Sequence, residues 1–409
     1  MEYNQCNLRV TTQMYFCAYP LSMDLYSGCP HRCLYCFANN YQNFKRNGKS
    51  ENDFFKTIIP CNTDKFFKIL NEKQKYAKHE HVEYLINKRQ PLHIGGMADP
   101  FPIGIEEKYE HAKKFLQQLE DYPIIISTKN PMYPELMEGK NIVLQCSIIG
   151  IGEQFRKIEP GVKSAEERIQ ALKQFKGKVK KIVIRMQPFI PWLYNKKSLE
   201  DFIRQVSEVA DALTVEFLYS HCVKKNNLMD NVFGFNTCNK ILENGKIMGT
   251  DIKFNDNYKI KYVDMIKKLC EKYGLEFYSA ENSLRDSGCN CNCCGISKTD
   301  SEFQSFNKLN TSELLFKLKE KGKMPVKEYV NSLPDEYKNM SYLQNGTNSR
   351  NYKTYSQYKH TSIYDKFNES MHTNCPYNPC NIFRNITMKV IDGEMYFVYT
   401  GEKAEKLEV

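Results

Sequence analysis

The 409-residue chain has one tryptophan, so Tyr (27) and Phe (24) supply nearly all of its 13% aromatic content. Nowhere does it run to the ~18 consecutive apolar residues that a membrane-crossing helix needs, and no membrane partner is expected. The opening MEYNQCNLRV lacks an apolar stretch of the secretory kind, and a cytoplasmic location is expected. There is no internal repeat and no strong basic tract of the sort a long duplex footprint requires. Lys+Arg 58 against Asp+Glu 48 leaves +10, a mild excess that favours anionic partners without marking a nucleic-acid binder. Disorder is disfavoured, because 41% of residues are hydrophobic and lie in patterned segments. Cysteine is the excess: sixteen residues, which in a reducing compartment act as thiols, ligands or redox groups rather than disulfides.

Along residues 1–290, short apolar runs alternate with amphipathic ones. Strands are expected at 16–27, 91–97, 123–129, 141–149, 181–190, 213–220 and 275–280. Several are Ile/Val/Phe-rich without strict alternation, as strands covered on both faces are. Helices are expected at 106–120, at 164–175 behind the capping-box pair Ser164 and Glu167, at 198–210 with Ser198 as N-cap, and at 259–274 ending on Gly274. Such β/α alternation implies parallel strands with crossover helices, and six or seven units make a full or partial barrel. The expected fold is α/β, a partial (β/α)6 TIM-like barrel over residues 1–295 with a C-terminal extension over 296–409. That extension holds a helix at 311–322, a Tyr-rich stretch expected to cover the barrel mouth, and a terminal strand or hairpin with an Asp-Gly turn in MKVIDGEMYFVYTG.

Cys29, Cys33 and Cys36, in SGCPHRCLYCFA, follow the first strand with C-x3-C-x2-C spacing. Three thiolates on one tight loop can hold three corners of a cuboidal iron–sulfur cluster. Zinc ribbons use C-x2-C pairs, and a redox C-x-x-C would leave Cys29 without a role. The loop, with Tyr35 before the third cysteine, resembles the radical S-adenosylmethionine (SAM) superfamily over roughly residues 15–290. The resemblance implies a [4Fe–4S] cluster with one open iron, chelated by the amino and carboxylate groups of SAM. It also implies reductive cleavage of SAM to a 5′-deoxyadenosyl radical, and a reducing partner such as flavodoxin or ferredoxin.

Gly95, Gly96 and Met97 close the second strand and look like the family's Gly-Gly-Glu-type segment, with Met97 in place of the acidic residue. The resemblance assigns this backbone to the SAM amino group. Lys129, Ser147 and Arg185 lie on the third, fourth and fifth strands, where strand ends face the site. Lys129 or Arg185 is expected to pair the SAM carboxylate, and Ser147 to bond a ribose hydroxyl. Asp99 and Glu216 are the candidates for bonding a polar base edge or ribose of the substrate.

MADPFPIGIEEKY (97–109), ISTKNP (126–131), IEPGVKSAEERIQAL (158–172) and IRMQPFIPWL (184–193) resemble the spore photoproduct lyase-like branch of the superfamily. Its repair enzyme draws hydrogen from a cysteine at the second strand's end. The matching place is near Gly96, and no cysteine is nearby, which speaks against thymine-dimer repair. Branch, missing cysteine and Lys/Asn/Tyr-rich composition together resemble a radical SAM queuine lyase, implying a nucleoside or nucleotide substrate and release of queuine from queuosine or its 5′-phosphate. DNA-base repair or modification and peptide modification are the rival enzyme readings, and a non-catalytic zinc or Fe–S module is the rival of another class. Cys289, Cys291, Cys293 and Cys294, with Cys375 and Cys380, are read as ligands of a second metal centre, Fe–S or zinc. RNYKTYSQYKH (350–360) interleaves basic and aromatic residues and is either a nucleotide-holding surface or a solvated loop over the mouth. The remaining cysteines, Cys17 among them, read as small buried hydrophobes.

Overall fold

The structure is a computed structural model that describes residues 8–11, 17–39, 53–75, 80–221, 228–248, 251–289, 292–297, 300–303, 311–332, 371 and 378–401. Its centre is one eight-stranded sheet. In chain order the strands are β1 (Arg9–Val10), β2 (Leu21–Met23), β3 (Leu92–Ile94), β4 (Ile124–Thr128), β5 (Ile142–Ser147), β6 (Lys181–Phe189), β7 (Ala212–Phe217) and β8 (Glu276–Ser279). Spatial order follows chain order, and β2 to β8 are all parallel. The parallel run therefore reaches seven strands, each inside or overlapping an expected segment. β1 is a two-residue antiparallel edge, too short for any sequence pattern to mark.

Sequential parallel pairing with helical crossovers curves the sheet into an incomplete barrel. The strands lack alternation because both faces are covered. Ile124 and Ile126 of β4 pack outward with Leu144, Ile184 and Leu213 against helices such as Ala165–Leu172 and Lys196–Ser207. Ile125, with Val143, Val183 and Ala212, packs inward against Tyr19, Cys294, Ile296 and Phe303. Cys294, Ile296 and Phe303 thus plug the barrel floor below the strand tops.

Local chemistry sets the helix bounds. Ser164 and Glu167 form the reciprocal capping box. The next helix starts earlier than expected, because Asn195 accepts from the Ser198 amide and is the N-cap, while Ser198 is its N3 partner. The 106–120 segment is two helices, Glu106–Tyr109 and His111–Gln118, broken at Glu110 in the left-handed region (φ 49°).

Beyond residue 310 a separate small core gathers Leu314, Leu318, Tyr329 and Phe397. It holds helix Thr311–Lys321 and a three-stranded sheet in which Ile386–Ile391 and Glu394–Tyr399 turn at Asp392-Gly393, both at positive φ. Asp286, after β8, ties it to the barrel by accepting from Tyr399 Oη (2.8 Å) and Asn385 Nδ2. Among the described residues no helix is long and apolar enough to cross a membrane.

Candidate active site

The C-terminal ends of β2 to β7 enclose one cavity of about 220 Å3. Strand tops are where parallel α/β sheets place their ligands. After β2 the loop contributes Cys29, Cys33, Tyr35 and Cys36, and after β3 come Gly95, Gly96, Met97 and Asp99. Lys129, Ser147, Arg185 and Glu216 reach it from β4 to β7. The twelve residues singled out for cluster, SAM or substrate thus line one cavity. No described residue after Met229 does, and the 350–360 stretch lies outside the described residues.

The cysteine loop is pinned by backbone bonds. Cys29 N donates to Phe54 O (2.9 Å), Leu34 N to Ile158 O (3.0 Å), and Gly161 N to His31 O (3.0 Å). Burial pushes the Cys29 thiol up to about 12 and raises the Cys33 thiol well above its ordinary range. Such thiols stay protonated until a metal displaces the proton. Among the described residues no three His, Cys, Asp or Glu side chains close on a single ion. A cubane takes each thiolate on its own iron, so three cysteines on one loop suit three of its corners. The donor set, three sulfurs and no nitrogen or oxygen, suits iron–sulfur ligation.

Behind the loop lies a charge cluster that sequence reading missed. Glu159 accepts from Arg168 Nη2 and Lys129 Nζ, both at 2.6 Å, and from Tyr35 Oη. Burial opposes ionisation of Glu159, but Arg168 and Lys129 hold its carboxyl down at about 2. Lys129, expected to meet the carboxylate of SAM, already meets one. Its ammonium also donates to Tyr35 Oη (2.8 Å), so Lys129 and Tyr35 fasten the loop to the barrel.

Asp99 is revised in the same way. Its Oδ1 accepts from Phe101 N (2.9 Å) and Thr128 Oγ1 (2.7 Å), and its Oδ2 from Lys129 N (2.6 Å). His31 Nδ1 is 3.5 Å from Oδ2. Both oxygens are engaged by protein groups, so Asp99 braces the loop at the cavity wall.

Gly95 sits at φ +89°, and a Cβ there would lie 2.1 Å from Ser127 O, so only glycine lets β3 and β4 approach this closely. Gly96 has nothing within 4 Å of its missing Cβ, which leaves open space at the cavity wall. Met97 N and Ala98 N both donate to Asp24 Oδ1 (2.9 and 3.4 Å), and Arg9 holds Oδ2 (2.8 Å). Asp24, a buried carboxylate just past β2, fixes this segment and carried no sequence signal.

The cavity base is polar. Ser127 Oγ donates to Gln145 Oε1 (2.6 Å) and accepts from Arg185 Nη1 (2.7 Å). Its one proton being used, it accepts from His93 Nε2 (2.8 Å), which makes His93 the Nε2–H tautomer. Burial, then Arg185 and Arg9, push His93 down to about 3, so it is neutral. Arg185 also donates from Nε to Gln187 Oε1 (3.0 Å), and among the described residues it has no carboxylate within ion-pair reach. Glu216, on the next strand, faces the cavity with no hydrogen bond or ion pair among the described residues. Burial and Glu281 push its carboxyl up to about 7, against the pull of Arg185.

The described members of the second cysteine set, Cys289, Cys293, Cys294 and Cys380, lie in different places. Cys289 is exposed, Cys293 and Cys294 pack in the barrel floor beside Cys17, and Cys380 belongs to the C-terminal core. Cys291 and Cys375 lie outside the described residues. The physical reason is partition between two hydrophobic cores. It also draws in Cys17, whose neighbours sit about 275 residues away in sequence.

No protein-family model and no curated protein matches the chain. Among solved structures, spore photoproduct lyase complexed with dinucleoside spore photoproduct is similar at 16% identity and TM-score 0.46, over 66% of this chain and 81% of that one. A mutant of spore photoproduct lyase matches at 16% identity and TM-score 0.46, over 64% and 77%. A further mutant, with bound AdoMet and dinucleoside spore photoproduct, matches at 14% identity and TM-score 0.45, over 66% and 80%.

Proposed function

We propose that the chain is a radical SAM enzyme whose cluster is held by Cys29, Cys33 and Cys36. One observation carries the reading: those three thiols share a single cavity with polar side chains from the ends of the neighbouring parallel strands. With cluster and SAM bound, one electron from a flavodoxin- or ferredoxin-type donor would split the sulfonium into methionine and a 5′-deoxyadenosyl radical able to take a hydrogen from substrate. The protein's own part is positioning. Glu159, Lys129 and Tyr35 hold the cysteine loop, Asp24 holds the backbone just after Gly96, and Asp99 ties that stretch to the end of β4. The open space at Gly96 takes the amino end of SAM. Arg185, whose cation is met by neutral acceptors, is the counter-ion for its carboxylate. Ser147, at the top of β5, is the partner of a ribose hydroxyl.

For the substrate we propose queuosine 5′-phosphate, cleaved to release queuine. The supports are the sequence resemblance and a cavity that joins a carboxylate to an exposed aromatic ring. The test is anaerobic incubation of reconstituted, reduced protein with SAM and queuosine 5′-phosphate. Free queuine alongside 5′-deoxyadenosine supports the reading, and 5′-deoxyadenosine without queuine rejects the substrate.

A further inference from the structure

Two carboxylates line the cavity, and they differ in one respect. Asp99 has both oxygens taken by Phe101, Thr128 and Lys129. Glu216 has no hydrogen-bond or ion-pair partner among the described residues. We propose that Glu216 selects the substrate's base by accepting two adjacent N–H groups from a flat heterocycle of the 2-amino-6-oxopurine type. The inference rests on the reading of this cavity as a nucleotide site.

A carboxylate offers two acceptor oxygens in one plane, the complement of a paired N–H edge. Position 216 faces inward because it lies two residues beyond Thr214, which is in register with Arg185. Glu216 and Arg185 therefore share the inner face on neighbouring strands without forming a pair. That leaves the Glu216 carboxylate for a donor edge of the base and the guanidinium for the SAM carboxylate. Burial raises the proton affinity of Glu216, so two N–H donors would stabilise its charged form.

The same cavity supplies a flat apolar surface. Phe37 is 46% exposed, and of the large hydrophobic residues that lie exposed among the described residues it alone lines the cavity. Met97 and Tyr219 line it too. An exposed ring at a binding wall is what a planar base stacks on.

The probe pair is guanosine and inosine 5′-monophosphate, which differ only by the 2-amino group. Binding is measured anaerobically on the reconstituted full chain with SAM, for wild type, Glu216→Gln and Glu216→Asp at matched iron content, so that misfolding appears as lost iron and not as lost selectivity. Wild type is expected to bind the guanine nucleotide about 10–100-fold more tightly than the inosine one. Glu216→Gln brings the ratio close to one, because its amide places N–H groups against the ligand's own. Glu216→Asp keeps part of the preference. A wild-type ratio near one, binding of neither nucleotide, or an unchanged ratio in Glu216→Gln overturns the assignment. Queuine release is measured separately. Release without guanine preference rejects Glu216 as the selector and leaves the proposed reaction standing, while preference without release does the reverse.

Discussion

Gly161 sits directly against His31 of the cysteine loop: its amide donates to His31 O at 3.0 Å, and a Cβ at Gly161 would lie 2.6 Å from that same oxygen. Pro30 O would be 2.7 Å away. Both obstacles are backbone, so an alanine could be housed only by moving the loop that carries Cys29 and Cys33. Gly161→Ala is expected to cost about 1–3 kcal/mol of stability. It should lower the iron bound after reconstitution, while far-ultraviolet circular dichroism stays native-like. Iron content equal to wild type would show that the loop tolerates displacement.

Removing the Glu159 carboxylate should be more damaging. Glu159→Gln leaves Arg168 and Lys129 buried without counter-charge, a loss of about 3–5 kcal/mol for broken buried pairs. Chemical denaturation of the apoprotein measures it. A change below about 1 kcal/mol would place the pair in a solvated setting instead.

The pH dependence of the same residue has a definite sign. The folded-state pKa of Glu159 is about 2 against an ordinary 4.5. Its contribution is therefore fully present above pH ~4.5 and is lost as pH falls from there towards 2. Wild-type stability should fall over that window more steeply than that of Glu159→Gln. Parallel curves for the two proteins would contradict the assignment.

Glu216 has the opposite sign. With its pKa raised to about 7, the folded state binds the proton more tightly than the unfolded state, and stability falls as pH rises from ~4.5 through 7. Glu216→Gln should melt near wild type at pH 5 and above it at pH 8. Equal melting at both values would show a carboxylate already satisfied in the cavity.

The parallel strands were legible because burial on both faces leaves unbroken Ile/Val runs such as Ile124–Ile126, and the cysteine loop because ligand spacing is local. Glu159, Asp24 and Cys17 were not. Glu159 meets Tyr35 across 124 residues, Asp24 meets Met97 across 73, and such contacts leave no periodicity. Lys129 and Asp99 line the cavity, but sequence could not show that protein groups already meet their charges. Asn195 was passed over as N-cap because Ser198 also bears a capping side chain, and the choice depends on where the backbone leaves β6.

The most direct test is iron, sulfide and 5′-deoxyadenosine measured together on wild type and Cys33→Ala after anaerobic reconstitution. Wild type should bind about four irons at the loop and cleave SAM on reduction, and the variant should lose both. A zinc-bound, colourless wild type, or a Cys33→Ala protein that keeps its iron and still forms 5′-deoxyadenosine, would contradict a cluster at this loop.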